Sequence, residues 1–101
     1  MQRGEIWAYQ PVLQRPGQSL LRLIVSADGL NVQGSLPIVL GLQVVDRDPG
    51  SLLAVRLEGY GWTVVTTIEA VIRRRLPELV GVIGSAEQVA VDSALRAALE
   101  L

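Results

Sequence analysis

Apolar residues in this chain come in short runs, each closed by glycine, proline or a polar cluster, and only the last segment carries them at helical spacing. Runs of this kind bury one or both faces of a strand but are too short for helices that pack on one another. Candidate strands are Gly4–Tyr9, Leu20–Ser26, Leu36–Val45, Leu52–Glu58 and Trp62–Ile68. The pattern predicts a mainly β fold with a C-terminal α-helix, either a small antiparallel barrel or a strongly coiled sheet.

Alternation assigns the faces. Ile6 and Ala8 oppose Trp7 and Tyr9, and Leu21, Leu23 and Val25 oppose Leu20, Arg22 and Ile24. The near-continuous apolar run at Leu36–Val45 predicts a central strand buried on both sides. Pro11, Pro16 and Gly17 make 10–19 a loop, the polar stretch 27–35 a second loop, and Asp46 to Gly50 a turn. Gly59 to Gly61 suits a tight hairpin. Residues 70–84 are ambiguous: Pro77 opposes a helix through Arg75 and Leu76 but can open a short one at Glu78. Ser85 reads as an N-cap completed by Gln88, with Val91, Leu95, Ala98 and Leu99 on one helical face.

At 101 residues the chain has the length of one domain, 1–101, with a modest core. Half of it is apolar, mostly Val, Leu, Ala and Ile, while aromatics are 4%. That is more apolar surface than so small an interior hides, which predicts a homodimer or another partner. Cys and His are both absent, which removes thiol nucleophiles, disulfides, Cys or His metal sites and imidazole acid–base chemistry. No cofactor is expected. No apolar run is long enough for a membrane span, and the opening residues lack the pattern of a signal peptide, so cytoplasm is the expected location. The formal net charge is −1, not the basic footprint of a protein that grips long nucleic acid electrostatically. Every basic residue is Arg, so each cation can make a planar, two-point contact with phosphate or carboxylate.

Single residues leave alternatives open. Arg73-Arg74-Arg75 fits a phosphate grip or a solvated face, and Trp7 and Trp62 fit an interface or the core. Asp46 and Asp48 suit turn capping better than a metal cage. Ser26, Thr66 and Thr67 have no His or Lys to activate them as nucleophiles.

The opening Arg3-Gly4-Glu5-Ile6-Trp7 resembles the start of MazF/PemK toxins of type II toxin–antitoxin systems. The likeness continues through Pro16-Gly17, Arg22 to Ser26 and Asn31. It resumes with Arg75-Leu76, Gly81, Ser85, Glu87, Val91-Asp92 and Ala94-Leu95. The stretch Gly61-Trp62 through Thr66-Thr67 to Ala70 is closer to CcdB, which has the same fold. The resemblance implies an SH3-like barrel of the CcdB/MazF type, a homodimer, and silencing by an antitoxin peptide. It further implies metal-independent cleavage of single-stranded RNA. In that chemistry an arginine, here Arg22, stabilises charge building on the phosphoryl oxygens as the 2′-hydroxyl attacks. Gln43 occupies the position of the family's catalytic Thr or Ser and can donate a hydrogen bond but not take a proton. Arg15, Ser19 and Asn31 are the expected RNA-contacting residues.

Two other outcomes follow from the same residues. With Gln43 in place of Thr and a carboxylate at Glu69 that repels phosphate, the chain can be a dimeric binding module for an antitoxin-like peptide that has lost catalysis. A CcdB-like gyrase poison is the third, although the terminal Ala98-Leu99-Glu100-Leu101 lacks the Trp that CcdB carries there. Arg22 also has a purely structural alternative, pairing with a cross-strand acid such as Glu58. The activity implied by the resemblance depends on its guanidinium being held where a phosphate can dock.

Overall fold

In the computed structural model, which describes residues 1–101, the alternating runs become seven short strands. They are β1 (Glu5–Ala8), β2 (Leu21–Ile24), β3 (Ile38–Val45), β4 (Ala54–Leu57), β5 (Gly61–Val64), β6 (Glu69–Ile72) and β7 (Leu79–Val82). A one-turn helix α1 (Asp28–Asn31) lies in the second loop, and α2 (Ser85–Leu99) closes the chain. The strands form one antiparallel sheet in the order β4-β5-β3-β2-β1-β7, with β6 on β3. The sheet curls around a core of Ile6, Leu23, Leu42, Val44, Leu57 and Val65, which Val91 and Leu95 of α2 cover. Its opposite face carries a smaller cluster of Ile24, Val39, Val71 and Leu76, flanked by Trp7 and Tyr9. The fold is thus mainly β with a C-terminal helix, of the curled barrel type that the alternation predicts. No helix is long and apolar enough to cross a membrane.

The expected strand Trp62–Ile68 is broken. The chain follows β3 as β5, kinks through a 3₁₀ turn at Val65–Thr67, and rejoins β3 as β6. The kink would orphan the β3 backbone at Gln43, and two threonines repair it. The Gln43 N–H donates to Thr67 Oγ1 at 3.0 Å, and Thr63 Oγ1 donates to the Gln43 carbonyl at 2.8 Å. β3 is central, as expected, but not buried throughout, because Ile38 and Leu40 are exposed.

Residues 70–84 contain no helix at Glu78. Arg73–Arg75 form a 3₁₀ turn, Pro77 stops it, and Leu79–Val82 pair with β1. The cap of α2 sits one residue earlier than expected. Gly84 precedes the helix, and Glu87, not Gln88, completes the turn by accepting the Gly84 N–H at 2.9 Å. The other carboxylate oxygen of Glu87 accepts the Glu58 N–H, tying α2 to the end of β4. Gln88 instead donates to Asp92 within the helix. Val91 and Leu95 are buried as the helical spacing requires, but Ala98 and Leu99 run past the sheet into solvent.

Candidate functional site

Antiparallel register places Arg22 of β2 directly opposite Gln43 of β3, so both side chains stand on one face of the sheet. The next strand on that face begins with Glu69, opposite Gly41. Gly41 leaves little room here: a Cβ would sit 3.1 Å from the Val71 side chain. Arg22 is only 3% exposed. Its guanidinium is held on three sides. Nε donates to Glu69 Oε1 at 2.8 Å, Nη1 donates to the Ser19 and Leu21 carbonyls at 3.0 and 2.9 Å, and the ring of Tyr9 lies 3.9 Å below. Nη2 has no protein acceptor and is not sealed from solvent, which leaves it as the one free edge of the group.

The cross-strand acid is therefore Glu69 rather than Glu58. Glu69 follows the kink that alternation does not reveal, and its side chain is 39% exposed. A partly buried charge pair of this kind offsets both charges through one hydrogen bond and restricts what else the arginine can bind.

Ser19 belongs to the same constellation. Its hydroxyl accepts from Arg22 Nη1 and donates to the Val44 carbonyl, joining the end of the first loop to β3. Beside it is a concavity of about 300 Å³ lined by Gly17, Ser19, Leu21, Val44, Asp46 and Tyr60. Neither Arg22 nor Glu69 lines this or the other larger concavities of the surface. Arg15 is exposed on the same loop, where its backbone N–H donates to Gln18 and its guanidinium makes no bond to protein.

Asn31 stands apart from this group and is engaged internally. It is buried, its amide donates to the Ser26 carbonyl and to Asp28 Oδ1, and its oxygen accepts from the Ser26 hydroxyl. Those contacts hold α1 against the end of β2 and leave no side-chain group free for a substrate. Asp28 also accepts the Arg3 backbone N–H. That bond, with smaller help from Asn31, holds its carboxyl below the ordinary carboxylate value.

The arginine run is divided. Arg73 donates to the carbonyls of Leu30, Asn31, Gln33 and Leu36, and Arg75 donates to that of Gln10. Arg74 is exposed and makes no hydrogen bond or ion pair. Asp48 caps its turn by accepting the Gly50 N–H at 2.8 Å. Thr67 and Glu69 are the residues of this site that sequence patterning does not pick out as site-forming, because both depend on the kink. The pairing of Glu69 with a buried cation has no local signature.

No protein-family model matches the sequence, and no curated protein matches it. Solved structures do match in shape. An endoribonuclease from a Mycobacterial species superposes with a TM-score of 0.82 at 19% identity, over 100% of this chain and 92% of that one. A mycobacterial endoribonuclease in complex with its cognate antitoxin gives 0.80 at 21% identity, over 100% and 94%. A MazE–MazF complex from Deinococcus radiodurans gives 0.82 at 16% identity, over 100% and 96%. Likeness at these identities is a statement about architecture, and the architecture of this chain is that of the MazF endoribonucleases.

Proposed function

We propose that this chain is the toxin of a type II toxin–antitoxin pair, cleaving single-stranded RNA without a metal ion. The observation that carries the reading is the fold shared with MazF endoribonucleases; on it Arg22 keeps Nη2 unpartnered, although the guanidinium is nearly buried and lines no concavity. With Nη1 fixed by the Ser19 and Leu21 carbonyls, the guanidinium presents Nη2 to a phosphoryl oxygen in a set orientation. In the reaction the 2′-hydroxyl oxygen attacks phosphorus and gives its proton to water, the P–O5′ bond breaks, and the 5′-oxygen takes a proton from water, leaving a 2′,3′-cyclic phosphate. Arg22 Nη2 stabilises the charge on a non-bridging oxygen. Gln43, the cross-strand partner of Arg22, donates a hydrogen bond to the same phosphate in this reading. Ser19 holds Arg22, and Arg15 on the adjoining loop is available to the neighbouring backbone phosphates.

The active species is proposed to be a homodimer. Ile38 and Ile72 are cross-strand partners, and both are exposed. Leu40 and Ile68 continue the surface to Leu99 and Leu101 beyond the end of α2. A second copy covering this face removes it from water. The third partner is an antitoxin peptide, as in the complexes of similar fold.

Purified protein, free of antitoxin, is to be incubated with a long unstructured RNA in the presence of a chelator. Cleavage by wild type and not by Arg22→Ala supports the reading. Equally intact RNA in both lanes ends it. The pairing of Arg22 with Glu69 favours one competing reading, a dimeric module that binds an antitoxin-like peptide and has lost catalysis. Tight peptide binding without growth arrest on expression is its signature, whereas arrest that requires Arg22 excludes it.

A further inference from the structure

We infer that Glu69 is an autoinhibitory residue, an internal carboxylate that occupies part of the face through which Arg22 binds a phosphodiester. The inference rests on the proposed role of Arg22 in holding phosphate, and it concerns the regulation of that same site.

Three of the contacts around the guanidinium differ in kind. The Leu21 carbonyl belongs to the backbone of β2 and the Ser19 carbonyl to the loop residue just before it, so both are main-chain acceptors. The Tyr9 ring packs against the smaller apolar cluster. Glu69 is held by a single hydrogen bond, from Arg22 Nε to Oε1, while Oε2 has no protein partner and is not sealed from solvent. Its side chain is substantially exposed where Arg22 is not. The Ser19 hydroxyl, which also accepts from Nη1, is tied to the Val44 carbonyl, so of the groups that hold Arg22 the Glu69 carboxylate is the charged one with no second tether.

The consequence is electrostatic. An arginine paired with a carboxylate offers little net charge to an approaching phosphate, and the free Oε2 repels that anion. A two-point contact through Nε and Nη2, the geometry that makes arginine effective with phosphate, requires Glu69 to give up Nε. Glu69 and the phosphodiester therefore compete for one edge of the guanidinium. Because Glu69 stands immediately after the kink at Val65–Thr67, its side chain can swing outward without breaking the β6 ladder.

The test measures binding of a fluorescent oligouridylate, with orthophosphate as a separate probe, to wild type, Glu69→Gln, and Glu69→Gln combined with Arg22→Gln. The expected result is tighter binding by Glu69→Gln, about fivefold, the weight of a partly exposed ion pair. That gain should vanish in the double variant. Binding by Glu69→Gln equal to or weaker than wild type overturns the inference; loss of cleavage at unchanged affinity also overturns it and makes Glu69 a participant in the chemistry. A gain for orthophosphate without any oligouridylate binding keeps the autoinhibitory contact and removes the ribonuclease reading. If Glu69→Gln does not stay folded, ¹⁵N NMR of the Arg22 Nε–H in wild type decides. Its resonance moves on addition of orthophosphate when Glu69 yields, and an unmoved resonance at saturating anion rejects the idea.

Discussion

The phenol oxygen of Tyr60, at the turn between β4 and β5, occupies the space over Gly81 in β7 where any other residue would carry its Cβ. The two residues belong to elements at opposite ends of the strand order, so their contact is where the curled sheet closes on itself. Tyr60 also packs against the main core, which leaves its ring little freedom to retreat.

Gly81→Ala is expected to destabilise the protein by about 1–3 kcal/mol, the usual cost of overpacking. Urea denaturation of Gly81→Ala, Tyr60→Ala and the double variant checks it. If closure is the cause, the double variant loses clearly less than the sum of the two singles. Strict additivity would place the effect elsewhere.

Adjacent arginines should behave oppositely. Arg73 ties the carbonyls of Leu30 and Asn31 in α1 and of Gln33 and Leu36 after it, and its loss leaves those of Asn31 and Leu36 without a donor. Arg73→Ala is expected to cost about 2 kcal/mol, and lysine should rescue it poorly because it lacks the planar fork. Arg74→Ala should stay within about 0.5 kcal/mol of wild type. Thermal unfolding of the variants decides, and equal shifts for both positions would contradict the assignment.

These arginines also show what the sequence makes legible. Alternation finds β1, β2 and the centre of β3, because each side chain there faces either core or its opposite. It also places Arg22 on the face opposite the main core. What it cannot show is the bend at Val65–Thr67, since Val, Thr and Ile suit a straight strand as well as a broken one. That bend brings Glu69, not Glu58, to Arg22 and puts Thr67 on the backbone of Gln43. The run Arg73–Arg75 looks uniform in sequence. Its division into two braces and one free cation depends on which carbonyls the folded loops leave unpaired. Asn31, which the resemblance offers as an RNA contact, is spent on the buried turn between Ser26 and α1, a demand no local pattern displays.

Acid stability should report on Asp28. The Arg3 backbone N–H, the Asn31 amide and the Arg3 charge favour its ionised form more than desolvation opposes it, so its pKa is lower folded than unfolded. The resulting stability is fully present above the unfolded value and is lost as pH falls through the folded one. Asp28→Asn should therefore be less stable than wild type near neutral pH, with the gap narrowing as pH falls below the ordinary carboxylate value of 3.8. Urea midpoints across that range test this, and a gap that does not narrow on acidification would reject the assignment.

The exposed apolar face makes a prediction about assembly. Ile38, Leu40, Ile68 and Ile72 sit on one side of β3 and β6, next to the projecting end of α2, and scattered exposure does not explain so continuous a surface. A stable dimer needs roughly 800 Å² from each protomer. Light scattering after size exclusion should give twice the chain mass for wild type, and the monomer for Ile38→Asp and for Leu99→Asp, with circular dichroism unchanged. Val12→Asp, in the first loop, should remain dimeric, because Val12 is equally apolar and exposed but lies outside this surface. A monomeric wild type would remove the dimer. A dimer indifferent to all three substitutions would move the interface to another face, with the exposed β7 edge as the next place to look.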